Sequence, residues 1–302
     1  MTISAISSRG LSKNFGKVKA VADLDLDVRS GEIYGFLGRN GAGKTTTIRM
    51  LLGLIRPDTG EMSIFGESVQ RKRLKALKKV GFLVESAAAY PNLTVAENLE
   101  MQRLLTDSPK GSVERVVKLL RLEEYAGRTS GHLSLGNKQR LSLARSLVHS
   151  PDLLILDEPA NGLDPAGIVE IRELLKSLAS SGTTIFMSSH ILAEVDKLAD
   201  RIGIIHGGRL IEEIDRSKLD GHNRFSLDLT VDQPEKAEAV LREKFGFKDV
   251  TRSGRDISVR DQGARGADIA AEIVKAGIGL DRLLPVEEDL EARFMRITGG
   301  KE

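Results

Sequence analysis

The sequence predicts an α/β protein: a largely parallel sheet with helices between its strands, an antiparallel β portion near the N-terminus, a helical insert, and a small α+β unit at the end. Three observations carry this. Short apolar runs at Ile33–Leu37, Leu153–Leu156, Thr184–Ser188 and Ile202–Ile205 have the length of strands buried on both faces, and helical patterns separate most of them. Asp23-Leu24-Asp25-Leu26-Asp27-Val28 alternates strictly, as a half-exposed strand does. Between Ile33–Leu37 and an amphipathic stretch lies a glycine-rich turn, Gly38-Arg39-Asn40-Gly41-Ala42-Gly43-Lys44-Thr45-Thr46. Alternating strands and helices favour a parallel sheet, with any nucleotide at the carboxyl ends of its strands.

The glycine turn is the most informative element. A strand, a glycine loop and a helix in that order present bare backbone N–H groups and the positive end of a helix dipole to phosphate oxygens. In that arrangement Lys44 reaches the outer phosphates and the Thr45 hydroxyl is placed to ligate Mg²⁺, which points to ATP or GTP as the molecule handled. Gly38, Arg39, Asn40, Gly41, Ala42, Gly43, Lys44, Thr45 and Thr46 are the candidate phosphate-binding residues.

From about Tyr90 to Ser150 the pattern is helical throughout and reads as an inserted helical subdomain, opened by a capping box at Thr94-Val95-Ala96-Glu97. The pair Gly207-Gly208 signals a hairpin turn, and the chain then passes through a polar stretch near Asn223. Residues 1–215 and 224–302 are therefore expected to be separate domains. In the second, strands at Phe225–Val231, Asp249–Arg252, Asp256–Val259 and Leu280–Leu284 alternate with helices at Glu235–Phe245 and Ala267–Ala276. That β-α-β-β-α-β order fits a ferredoxin-like unit, with a closing helix expected over Val286–Ile297.

Composition narrows the chemistry. The chain has 302 residues, is 40% hydrophobic and 29% charged, and can bury a sizeable core as two domains. A net charge of +2 is too mild for a nucleic-acid footprint, so no nucleic-acid partner is expected. The basic stretch Arg71-Lys72-Arg73-Leu74-Lys75-Ala76-Leu77-Lys78-Lys79 has Leu74 and Leu77 at helical spacing and reads as a solvated helix face, with contact to anionic lipid as the other reading. With no cysteine, disulfides, thiolate metal sites and thiol nucleophiles are excluded. No apolar run approaches the ~20 residues of a membrane span, so a cytoplasmic protein is expected, one that serves any membrane process by docking on a membrane partner.

Two strand ends carry further chemistry. Leu153-Leu154-Ile155-Leu156-Asp157-Glu158 places two adjacent carboxylates after an apolar strand: Asp157 to reach Mg²⁺ directly or through water, Glu158 to polarise the water that attacks the γ-phosphate. Ser188-Ser189-His190 puts an imidazole at the same sheet edge, within reach of a γ-phosphate oxygen. Lys44, Glu158 and His190 are the candidate catalytic residues.

The segment His132-Leu133-Ser134-Leu135-Gly136-Asn137-Lys138-Gln139-Arg140-Leu141 opens another helix. Together with the glycine loop, the Asp157-Glu158 strand end, Asn161-Gly162-Leu163-Asp164 and His190, it strongly resembles the signature motif of ATP-binding cassette (ABC) ATPases, with all five motifs in the family's order across residues 1–215. The resemblance implies a P-loop NTPase core that dimerises head to tail around two ATP molecules. Ser134 and Gly136 of one copy would contact the nucleotide held by the other, and Asp164 would link the two sites; a solvated loop acid is the other reading of Asp164. Phe15 matches the position where the family stacks an aromatic on adenine, against the alternative of a core phenylalanine.

Two departures stand out. Glu85 follows the strand Val80–Val84 where the family usually has a glutamine that touches Mg²⁺, and Leu135 occupies one of the signature's paired glycine positions, where a β-carbon would disfavour a positive φ. Arg39 stands where proline is frequent. Glu85, Tyr90-Pro91-Asn92-Leu93-Thr94 and Leu135 together resemble the bacitracin- and lantibiotic-type exporter branch. What that implies is an ATP-hydrolysing subunit bound at the inner membrane face to a separate multi-span permease, exporting an antibiotic, peptide or lipid, with Mg²⁺ as cofactor and Tyr90 and Leu93 as apolar anchors for the permease. Soluble cassette ATPases of translation or DNA repair are the alternative class, disfavoured by the single cassette and the lack of a sustained heptad run.

Overall fold

The computed structural model describes residues 4–84, 89–216, 225–259 and 264–287, with Phe294, Met295 and Thr298 beyond them. The chain divides into two compact units, Met1–Asp215 and Arg216–Glu302.

The first unit holds two sheets. An antiparallel one is built from β1 (Ser4–Phe15), β2 (Val18–Arg29), β4 (Thr59–Ile64) and β5 (Glu67–Ser68) in the order β2-β1-β4-β5. The other contains β3 (Ile33–Leu37), β6 (Val80–Leu83), β7 (Leu153–Asp157), β8 (Thr184–Ser189), β9 (Arg201–His206) and β10 (Arg209–Asp215), ordered β10-β9-β3-β8-β7-β6. Its four pairings from β9 to β6 are parallel and β10 is antiparallel at the edge. Strands β3 and β7 are buried along their whole length, which is why their residues read as unbroken apolar runs. Tyr34 and Phe36 of β3 flank Phe186 of β8, with ring centroids 5.7 and 5.4 Å away, and lock the middle of the sheet.

Parallel strands require crossovers, and helices supply them. Helix α1 (Lys44–Leu51) follows β3, the short α2 (Arg73–Leu77) precedes β6, α6 (Pro165–Ser180) joins β7 to β8, and α7 (Leu192–Asp196) follows β8. Between β6 and β7 lie α3 (Val95–Leu105), α4 (Ser112–Leu119) and α5 (Leu135–Leu147), the helical insert. Helix α3 starts where the sequence places it: Thr94 Oγ1 accepts from the Glu97 N–H at 3.1 Å, while the Glu97 carboxylate accepts from the Thr94 N–H at 2.7 Å. Buried Asn98 then donates to the carbonyls of Tyr90, Leu93 and Thr94, fastening the entry to the insert.

The second unit is a four-stranded antiparallel sheet, β11 (Phe225–Val231), β12 (Val250–Ser253), β13 (Asp256–Val259) and β14 (Leu280–Glu287), in the order β12-β13-β11-β14. Helices α8 (Pro234–Phe245) and α9 (Gly266–Lys275) bury Leu241, Ile269 and Ile273 against Leu229, Val231 and Ile257. This strand order is the split β-α-β, ferredoxin-like arrangement. The closing helix expected from Val286 does not begin there, because Val286 and Glu287 continue β14 and pair with Ser226 and Phe225. Most of the remaining span lies outside the described residues.

Candidate nucleotide site

The carboxyl ends of β3, β7 and β8 bring together three groups from distant parts of the chain. Lys44, at the first position of α1, is 6% exposed, and its ammonium donates to Gly38 O at 2.7 Å and Arg39 O at 3.3 Å. Its Nζ also lies 3.3 Å from Glu158 Oε1. The other oxygen of Glu158, Oε2, accepts from His190 Nδ1 at 2.7 Å; a carboxylate can only accept, so the ring proton sits on Nδ1. Lys44, Glu158 and His190 are thus one hydrogen-bonded chain, with His190 the most open of the three.

The glycine loop around them is set by backbone geometry. Gly43 has φ of 108°, in the left-handed region, and a β-carbon there would lie 2.4 Å from Ala20 O. Only glycine fits so close to β2. The loop is braced from outside by the hairpin between β9 and β10, where the Gly208 N–H donates to Ala42 O and the Ala22 N–H to Gly208 O. Arg39, Asn40 and Gly41 are exposed, Ala42 is buried, and Thr45 and Thr46 are partly buried at the start of α1.

Asp157, 4% exposed at the end of β7, accepts from Ser188 Oγ at 2.6 Å. The same hydroxyl accepts from the Glu158 N–H at 3.1 Å. Ser188 contributes to the site without standing out in the sequence, because its role depends on the parallel register that sets it opposite Asp157. Gln139 of α5 is a second such residue: 7% exposed, it donates to Pro159 O at 2.9 Å. Nearby, burial pushes the Glu194 carboxyl up from its ordinary range; a hydrogen bond from Ser189 opposes this, the charge of Glu158 reinforces it, and His190 opposes it.

A Thr45 hydroxyl beside the loop and a buried carboxylate at Asp157 form an all-oxygen donor set of the kind Mg²⁺ takes, and Mg²⁺ completes its shell with phosphates and water rather than with a protein cage. No cluster of three or more His, Cys, Asp or Glu suited to a metal occurs among the described residues. Thr45 and Asp157 are oxygen donors of the kind that a nucleotide-borne Mg²⁺ accepts. Glu85, the third expected metal contact, lies outside the described residues.

The other expected contacts lie at the end of β1 and at the N-termini of α5 and α6, the last two side by side through Gly136 and the segment 162–163. Phe15 is 51% exposed at the end of β1, with Lys13 Nζ 5.7 Å from its ring centroid, so it is no core residue. Ser134 is the N-cap of α5, accepting from the Asn137 N–H, with Gly136 in the first turn. Asp164 is the N-cap of α6, its Oδ1 accepting from the Gly167 N–H at 2.8 Å. The strain expected at Leu135 is not present: it is the first residue of α5, outside the positive-φ region, because Ser134 rather than a glycine starts the helix. Leu135 instead lies over Gly162, where a β-carbon would come within 2.5 Å of its Cδ2.

Comparison with known proteins agrees with this geometry. Residues 21–161 match the family model described as ABC transporter. The chain is 42% identical to the bacitracin transport ATP-binding protein BcrA of Bacillus licheniformis over 299 residues, covering 98% of this chain and 97% of that protein. It is 38% identical to the lantibiotic transport ATP-binding protein SrtF of Streptococcus pyogenes over 205 residues, 68% of this chain and 88% of that one. A bacterial ABC transporter cassette solved as a dimer superposes with a TM-score of 0.64 at 25% identity, over 70% of this chain and 98% of that one. A phosphate loop, paired carboxylates and a histidine at one sheet edge, in a chain related along nearly its whole length to such a subunit, place it among the ABC transporter ATP-binding proteins, which bind and hydrolyse ATP.

Proposed function

We propose that this chain powers an exporter, pairing with a second copy of itself around two Mg·ATP and driving a separate membrane permease. The observation that carries the catalytic part is the Lys44, Glu158 and His190 chain of contacts at the carboxyl edge of the sheet. In this reading the phosphate oxygens of ATP take over the Lys44 ammonium from Glu158 and the loop carbonyls. Glu158 is then released to polarise a water, and His190 faces the γ-phosphate. Thr45 and Asp157, with Glu85 as a further oxygen ligand, would hold Mg²⁺, which would supply charge neutralisation for the phosphates. Phe15 offers an exposed ring for the adenine.

Dimerisation is supported by the helix N-terminus at Ser134. Its amides suit an anion, yet the chain's own phosphate loop starts a different helix. A nucleotide shared between the loop of one copy and the Ser134 end of the other satisfies both. Cleavage of the γ-phosphate removes that bridge and lets the copies part.

No helix among the described residues is long and apolar enough to cross a membrane, so transport requires a partner that does. A groove of about 530 Å³ between β6 and helices α3 and α5, lined by Phe82, Leu83, Gln102, Leu105, Arg145 and His149, suits an amphipathic helix from the permease. Phe82 and Leu105 are 48% and 73% exposed, and Ser142 Oγ and His149 Nδ1 are buried in its wall without a hydrogen-bond partner among the described residues. Tyr90, 54% exposed, stands at the entry to the insert. The likeness to bacitracin and lantibiotic transport subunits supports a peptide antibiotic as the exported cargo. The test is the mass of the Glu158→Gln protein with Mg·ATP, by light scattering: a dimer that dissociates when ATP is exchanged for ADP is expected, and a monomer at high concentration, also with the permease present, would refute the shared site.

A further inference from the structure

The two carboxylates at the end of β7 differ in backbone. Asp157 continues the strand and pairs with Ser188, whereas Glu158 has φ of 52°, left-handed in a residue that carries a β-carbon. Such a conformation persists only where its surroundings over-determine it. Two buried side chains do so. Ser188 Oγ, on a residue with no exposed surface, accepts from the Glu158 N–H at 3.1 Å and anchors itself on Asp157 Oδ1. On the other side, Gln139 Nε2 donates to Pro159 O at 2.9 Å and lies 3.5 Å from Glu158 O. The peptides before and after Glu158 are therefore each held by a side chain from another element.

We propose that Ser188 and Gln139 are positioning residues that keep Glu158 in this left-handed conformation, with its carboxylate turned toward His190 and Lys44. Without either bond the backbone relaxes toward negative φ, and rotation about N–Cα carries the carboxylate away from the water it polarises. Gln139 also gives the pair a second consequence. It belongs to the same helix as Ser134, and one turn before it Leu135 lies over Gly162, so α5 touches the segment 158–164 near both ends. The aim of Glu158 thus depends on where the Ser134 helix sits. This inference rests on Glu158 being the hydrolytic carboxylate.

The test is steady-state phosphate release by the full chain at saturating Mg²⁺ across ATP concentrations. Ser188→Ala removes the acceptor of the Glu158 N–H, and Gln139→Met removes the donor with little change of volume. Each is expected to lower kcat roughly 10-fold or more while KM for ATP stays within about twofold, since misplacing a catalytic group costs rate and the phosphate loop is untouched. Ser188→Thr, which keeps the hydroxyl, should retain most of the rate. Because Ser188 also touches Asp157, Gln139→Met serves as the variant that leaves the metal side alone, and it keeps the question answerable should Ser188→Ala fold poorly. In a Glu158→Gln background either change should cost less than about twofold more, because the group it aims has gone. Unchanged kcat, a rise in KM alone, or losses that multiply with Glu158→Gln would overturn the assignment. If Glu158→Gln itself keeps turning over, the carboxylate reading fails instead.

Discussion

Glu158 Oε2 lies 2.7 Å from His190 Nδ1, and Glu158 Oε1 lies 3.3 Å from Lys44 Nζ, so one carboxylate joins the two cationic or proton-bearing groups of the site. Its neighbours give it a defined direction, and its backbone gives it strain. A group held this way is placed for a transition state rather than for stability. Glu158→Gln keeps the shape and removes the charge. Turnover is expected to fall by roughly 10²-fold or more while ATP binding survives. Phosphate release and nucleotide affinity measured on one preparation decide it; unchanged release would remove Glu158 from the chemistry.

Lys44 should behave differently from the same place. Its ammonium is nearly buried and is held at the loop by Gly38 O and Arg39 O, where the phosphates are proposed to sit. Lys44→Ala takes away a charge that acts on substrate and transition state alike, so binding itself should be lost. Titration with a fluorescent ATP analogue checks this, and retained affinity with slow turnover would assign Lys44 to the chemical step alone.

What could be read in advance was local. The phosphate loop, the Thr94 capping box and the turn at Gly207-Gly208 depend on residues within a few positions of one another, and each forms as its own sequence dictates. Pairing is another matter. That Ser188 meets Asp157 depends on β7 and β8 lying side by side in parallel register, and that Gln139 reaches Pro159 depends on how α5 packs. Neither relation has a trace in spacing. Leu135 departs from its expectation for the opposite reason: a motif position is not a backbone requirement, and the N-cap at Ser134 lets the helix begin there with ordinary dihedrals. At Val286 and Glu287, strand pairing with β11 overrode a helical pattern, as tertiary context routinely does.

The magnesium reading makes its own claim on Glu85. If its carboxylate meets the metal, Glu85→Gln should shift the Mg²⁺ concentration that half-saturates phosphate release, since a neutral amide oxygen is a weaker ligand than a carboxylate. An unmoved Mg²⁺ profile would take Glu85 out of the site.

His149 predicts a pH dependence. Burial holds its imidazole below the usual histidine range, its hydrogen bond to Val80 O works against this, and the charge of Arg115 adds to it. The unfolded chain, with an ordinary pKa near 6.5, therefore takes up this proton before the folded chain does. Stability from this group is present above about pH 6.5 and is lost as pH falls toward the lowered folded value. Thermal midpoints of the wild type and His149→Leu, measured between about pH 5 and 7.5, should differ in their pH slopes below about pH 6.5 and converge above it. Equal slopes throughout would mean that His149 takes up its proton equally readily in the folded and the unfolded chain, and that burial does not hold it neutral.

Gly162 links the Ser134 helix to the loop that ends at Asp164. Its φ of 78° is left-handed, and a β-carbon there would lie 2.5 Å from Leu135 Cδ2 and 2.7 Å from its Cγ. Gly162→Ala therefore meets two obstacles: a strained backbone, costing about 1–3 kcal/mol, and a side chain that must move. Leu135 is 63% exposed and can swing away, so the protein should fold with a modest loss of stability while the helix and the loop separate. If that contact keeps the loop between Glu158 and Asp164 in place, turnover falls more than stability explains, and Leu135→Ala in the same chain restores part of the rate by making room for the new methyl group. A double variant no faster than Gly162→Ala alone would mean that backbone strain, and not the contact with Leu135, sets the cost.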